Sequence, residues 1–262
     1  MNAEGVFAVF GPYLAAFGLV LARFSGLVLT APFFSSMTIP TPIKMGLVGT
    51  LTLVVMIQTG PMPPVGNLDA VRLIGMVLGE LAVGGLMGMA ATMLFGAVSM
   101  AGQLIGTQMG LSMASLMDPV NFQQVGMLSQ VLNVVAMLLF LAFDGHLMML
   151  RALFDSFQQV PIGTAWPDSA RILTDLTYVG SMNFELGLRL AFPVIVTVLF
   201  VNLGLGIIAR TVPQVNVFQL GFLVTISLGL LMLALSLPGF SQVFRNIVGE
   251  CVTMSVRMAK AM

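Results

Sequence analysis

From Leu81 to Met117 the chain runs 37 residues without one charge, ending at Asp118-Pro119. A single bilayer crossing needs only about 20 apolar residues. A run this long is therefore a poor plain span. Its first half is crowded with glycine. Its second half turns polar yet stays neutral, with Gln103, Thr107, Gln108, Ser112 and Ser115 interleaved with Met109, Met113 and Met117. Soft side chains, glycines and uncharged polar groups held together at membrane depth suit packing against other protein, or the lining of a passage. A membrane setting follows from the rest of the chain as well. Of 262 residues, 58% are hydrophobic and 8% charged, against about 25% charged in ordinary soluble domains.

Charge and reactive groups exclude several function classes. Net charge is zero, so nothing points to nucleic acid or to an acidic partner. The one cysteine, Cys251, allows no internal disulfide, and the one histidine, His146, makes no metal site by itself, because zinc takes three or four protein ligands. No Gly-x-Ser-x-Gly elbow, phosphate loop or paired-carboxylate spacing is present. The expectation is a protein without cofactor or catalytic residues. Glu4 is the only charge before Arg23, and a cleavable signal needs a basic start, so the first apolar run is expected to stay in the mature protein.

Prolines and glycines divide the chain. A helix is expected over 5–30, an irregular connector over 31–42 around Pro32, Pro40 and Pro42, and a second helix over 43–58. Gly60-Pro61-Met62-Pro63-Pro64 breaks it. A third helix runs from Asp69 to about Ala101. The segment 102–125 reads as kinked or partly looped, and a fourth helix covers 126–150 with a break at Asp144-Gly145-His146. Residues 151–182, with ordinary charge density, read as an extramembrane connector carrying a short helix over 168–179. A fifth helix (183–209), the link Arg210–Asn216, a sixth helix (217–237) and an amphipathic tail complete the chain. Sustained strand alternation is absent. The fold class is all-α: a polytopic helical membrane protein with kinked helices, helical hairpins and about six hydrophobic helices, forming a single domain over 1–262.

Small residues recur at steps of four: Gly75 and Gly79; Gly84, Gly88, Thr92 and Gly96; Gly102, Gly106 and Gly110. Such residues share a helix face. In lipid, close backbone approach through small side chains drives helix association. These rows serve packing within the chain or contact with other subunits. The subunit-contact reading singles out Gly75, Gly79, Gly84, Gly88, Gly96 and Gly102. Glu80 stands alone between two apolar runs. An isolated carboxylate there costs at least about 2.5 kcal/mol, so it must be paired, protonated or wet. Arg23, Arg72 and Arg189 are the candidate partners. Glu185 and Arg189 are also four apart in the order that supports a helix.

Several stretches, taken in order along essentially the whole chain, carry a resemblance. They are Ala22-Arg23-x-x-Gly26, Ala31-Pro32-Phe33, Gly79-Glu80, Ala101-Gly102-Gln103-x-x-Gly106-x-Gln108-x-Gly110-Leu111, Asp118-Pro119, Leu188-Arg189-x-Ala191-x-Pro193 and Arg210-x-x-Pro213-Gln214-x-Asn216-Val217-Phe218. Together they resemble the FliR family of flagellar export-gate subunits, which has a counterpart in virulence type III secretion. The resemblance implies one subunit of a hetero-oligomeric channel built with FliP- and FliQ-type membrane subunits, with an FlhB-type switch protein nearby. Unfolded flagellar proteins would cross the bacterial inner membrane through it, at the flagellar basal body.

It further implies that the loop 106–120 plugs the closed channel. Gly106, Gln108, Met109, Gly110, Ser112, Met113, Ser115, Met117, Asp118 and Pro119 are the candidates there. The turn with Arg210, Pro213, Gln214, Asn216 and Phe218 is expected at the cytoplasmic mouth. Independently of the resemblance, a lining of Gly, Ser, Gln and Met is neutral and soft, and lets cargo leave as well as enter. The alternatives are a small secondary transporter, for which broken helices and a buried acid would speak, the virulence-type counterpart of the gate, and an assembly scaffold that conducts nothing.

Overall fold

In a computed structural model the described residues are 3–36, 39–59, 70–111, 126–164, 169–211 and 217–260. Every regular element among them is helical: α1 (Ala3–Thr30), α2 (Pro32–Ser35), α3 (Thr41–Thr59), α4 (Ala70–Gln108), α5 (Met127–Ala142), α6 (Gly145–Gln159), α7 (Ser169–Thr211) and α8 (Val217–Lys260). Five are long and apolar enough to cross a membrane, or six if α5 and α6 are taken as one broken span. The chain is an all-α polytopic membrane protein.

Local chemistry sets the helix ends. Pro32 opens α2, where its missing N–H is no loss. α4 ends in a Schellman turn. Gly110 takes the left-handed conformation with φ 77°, and its amide donates to the Thr107 carbonyl at 3.1 Å. The Leu111 amide donates back to Gly106 at 2.9 Å, so the last carbonyls are satisfied. Between α5 and α6, Asp144 adopts φ 55°, one of the few residue types that does so readily. Its carbonyl then accepts from Met148 to start α6.

Three boundaries differ from the sequence reading. α4 continues through 102–108 rather than breaking at Gly102. Its polar residues there, Gln103, Thr107 and Gln108, all point outward and leave the backbone ladder intact. The stretch 151–182 is mostly helical: α6 extends to Gln159 and α7 begins at Ser169. Arg151 and Asp155, and Arg171 and Asp175, are four apart, a spacing that supports a helix, so charge density there does not mark a loop. α8 runs unbroken through Pro238-Gly239, although a proline there removes one backbone hydrogen bond. The expected break at Asp144-Gly145-His146 is present.

The chain divides into two compact units: 1–93, 144–179 and 248–262 form the first, and 94–143 with 180–247 the second. In the first, Leu19, Val20, Phe24 and Leu27 of α1 and Val83, Met87, Ala90 and Ala91 of α4 are buried. Phe24 meets Phe154 edge-on at 5.7 Å and Phe157 at 5.8 Å. In the second, Phe95 meets Phe140 at 5.7 Å and Phe244 at 6.3 Å, both edge-on. Ala97, Ala101, Ala136, Ala191 and Val194 are also buried there. Coverage of the spans is uneven. The candidate span of α4 is 56% buried inside the chain, that of α7 17% and that of α8 11%.

Candidate functional site

The first unit holds a buried ion pair. Arg23 Nε donates to Glu80 Oε2 at 2.5 Å, and both side chains are 0% exposed. The guanidinium also donates from Nη1 to Ser156 Oγ at 3.1 Å and from Nη2 to the Val160 carbonyl at 3.1 Å. Its plane lies over the Phe157 ring, 4.4 Å from the centroid. Glu80 Oε1 accepts from the Gly163 amide at 2.8 Å. A charge withdrawn from water is tolerated only when paired and hydrogen-bonded, and here both carboxylate oxygens and three guanidinium nitrogens are engaged. Of the three candidate partners for Glu80, Arg23 is the one used. Arg72 is exposed. Arg189 is not a buried charge: its side chain is 69% exposed and bridges Glu185 at 2.6 Å, a surface pair on one face of α7.

α1 and α4 meet through glycine. A Cβ on Gly26 would strike the Leu81 carbonyl and lie 2.8 Å from the Gly85 nitrogen. One on Gly84 would strike the Arg23 carbonyl, and one on Gly88 the Thr30 hydroxyl. The approach is close enough for polar bonds across it. Thr30 Oγ1 donates to the Gly85 carbonyl at 3.0 Å, and Thr92 Oγ1 donates to the Thr30 carbonyl at 2.5 Å. Gly84 and Gly88 are therefore used inside the chain, which corrects their reading as faces for other subunits. Gly79 is buried as well. In the second unit Gly96 faces Asn183, whose Nδ2 would lie 3.1 Å from an added Cβ. Gly102 sits on Ser129, whose hydroxyl donates to the Ser99 carbonyl at 3.1 Å. Gly75 has open space beside it.

Of the loop candidates, Gly106 meets open space, Gln108 is exposed and Gly110 forms the turn beside Phe222. Met109 is 1% exposed and seated on Gly229 of α8. It therefore points into the second unit. Ser112, Met113, Ser115, Met117, Asp118 and Pro119 lie outside the described residues, as do Pro213, Gln214 and Asn216. Arg210 is exposed in the last turn of α7, and Phe218 falls in the first turn of α8.

Sequence reasoning missed Ser156, Val160 and Gly163 as partners of the ion pair. They sit in the stretch read as a connector, where Pro161 and Gly163 are the residues that could have signalled a tight turn. It also gave Gly26 no packing role, although Gly26 lies three residues after Arg23 on α1.

Comparison with known proteins agrees with this architecture. The family model described as "Bacterial export proteins, family 1" matches residues 14–251, and so spans both units and the ion pair. The flagellar biosynthetic protein FliR of Pectobacterium carotovorum subsp. carotovorum is 35% identical over 228 residues, covering 86% of this chain and 85% of that protein. FliR of Escherichia coli strain K12 is 34% identical over 232 residues, covering 88% and 87%. FliR of Bacillus subtilis strain 168 is 31% identical over 234 residues, covering 88% and 90%. With agreement of this extent, on a helical membrane framework, the chain belongs to the FliR family of bacterial export proteins.

Proposed function

We propose that the chain is a membrane subunit of the flagellar protein export gate. With FliP- and FliQ-type subunits, and an FlhB-type switch protein beside them, it forms the passage by which unfolded flagellar proteins cross the inner membrane. The observation that carries this reading is the pair of long apolar helices the chain leaves uncovered. The spans of α7 and α8 are 17% and 11% buried, although α4 is 56% buried. Phe200, Leu203, Ile207, Leu223, Leu231 and Leu235 are all exposed on them. In a bilayer such faces meet lipid or other helices, and membership of an export family favours helices of an assembly. The family match and the flagellar names of its relatives support the export role.

Within that reading, 106–120 is the segment that closes the passage. The chain leaves α4 at the left-handed turn of Gly110, and residues 106–117 carry no charge. The chain itself carries no energy-coupling site in this reading, and drive comes from other parts of the apparatus. A deletion strain complemented with the tagged chain tests the proposal. Secretion of flagellar proteins should depend on the chain, and mild-detergent purification should recover a stoichiometric complex with other small membrane subunits. A chain that purifies alone and transports a solute in vesicles by itself would be a secondary transporter instead.

A further inference from the structure

We infer that Arg23 and Glu80 are positioning residues for the turn between α6 and α7, Val160–Gly163, and that they are not what holds α1 to α4. The α1–α4 crossing has its own support. It is closed by Gly26, Gly84 and Gly88 and bonded through Thr30 and Thr92, none of which involves the ion pair. Among the described residues, beyond the Arg23–Glu80 bond itself, every polar contact of the two side chains goes to one short segment. Arg23 donates to Ser156 and to the Val160 carbonyl, and Glu80 accepts from Gly163.

The geometry gives each partner a task. Val160 is the C-terminal cap residue of α6, in extended conformation, so its carbonyl has no helical partner ahead of it. Arg23 supplies a donor and a positive charge at that helix end, where both are favourable. Three residues on, Gly163 turns with φ 78° and sends its amide to Glu80. The turn then lies on both helices: a Cβ on Gly163 would be 3.5 Å from Met76 Sδ of α4 and 3.7 Å from Leu19 Cδ1 of α1. The pair thus reads the two sides of one turn at once, the cation taking its carbonyl and the anion its amide. Replacing a buried ion pair by apolar residues of similar size often leaves stability unchanged. What apolar residues cannot supply is the donor at Val160 and the acceptor at Gly163.

The link to transport rests on the export reading above; the placement of the turn does not. The test uses the full chain in native membranes of a deletion strain, with Cys251→Ser and a reporter Ile162→Cys in the half-buried middle of the turn. The variants are Arg23→Met with Glu80→Met together, and Arg23→Lys alone. The double variant should accumulate within about twofold of wild type, as expected when no charge is left unpaired. Maleimide labelling at position 162 should rise about tenfold, as expected for local opening of a protected segment. Secretion at equal abundance should fall several-fold. Arg23→Lys, which keeps the charge but has no fork to span two acceptors, should fall between.

Unchanged labelling at position 162 in the accumulated double variant overturns the assignment. So does a double variant that fails to accumulate at all, since the pair would then be a stability element. If labelling rises while loss of the whole chain leaves secretion intact, the positioning role stands and the export reading fails.

Discussion

Arg23 and Glu80 are each affordable only because of the other. A lone guanidinium with 0% exposure keeps its charge and loses its counter-ion when Glu80 is removed, and such losses cost about 3–5 kcal/mol. Glu80→Ala is therefore expected to lower thermal stability in detergent far more than the double methionine variant. Equal melting of the two would show that the pair is not dry. Gly163 makes a second residue-scale prediction. Gly163→Ala has room for its Cβ, with no atom nearer than 3.5 Å. The left-handed backbone is the obstacle, at about 1–2 kcal/mol for a residue with a Cβ. Gly180→Ala, in open space within α7, should instead be neutral or stabilising through helix propensity, by up to about 1 kcal/mol. Chemical denaturation of the two variants separates strain from space.

At the scale of the helix, the α1–α4 crossing is set by the absence of side chains. Gly84→Ala drives a methyl group into the Arg23 carbonyl, and backbone cannot yield as a flexible side-chain end can. This substitution should cost several kcal/mol, in the range of overpacked cores, and should raise proteolysis of the membrane-embedded chain. Gly75→Ala, on the same helix with nothing within 4 Å, should leave melting unchanged or slightly raised. A Gly84→Ala chain as stable as wild type would mean the helices can move apart.

These two glycines also show how much was legible in the sequence. Both belong to rows at steps of four, yet Gly84 meets the backbone of α1 while Gly75 meets nothing within 4 Å. Spacing cannot say whose backbone will meet such a row, because the same small-residue face serves a neighbour within the chain or a separate subunit. The lone Glu80 announced a partner for a similar reason: the cost of an unpaired acid in lipid is read from composition. Choosing Arg23 over Arg189 required the crossing itself. Helix ends were misread where charge was taken for loop, over 151–182, and where neutral polar groups were taken for a break, over 102–108. In both places the side chains report the surroundings of the helix, whereas the backbone ladder depends on proline, glycine and caps.

For the whole molecule, the unexplained small residues are as informative as the explained ones. Gly204 lies in the apolar half of α7 with nothing within 4 Å, and Leu203 and Ile207 beside it are exposed. No contact among the described residues calls for glycine there, and glycine in a helix interior costs about 1 kcal/mol against alanine. Lipid would accept any apolar residue at that place. A neighbouring helix approaching backbone to backbone would accept only a small one. Gly204→Leu distinguishes the two coverings. If FliP- or FliQ-type subunits cover α7, the variant should accumulate and melt as wild type when expressed alone. Recovery of those subunits in mild detergent should nonetheless fall at least about tenfold, the change expected for a lost interface of some 1.4 kcal/mol or more. Secretion should fall with it. Undiminished recovery of the complex would assign this face to lipid and leave α8, with Leu223, Leu231 and Leu235 exposed, as the surface by which the chain joins its assembly.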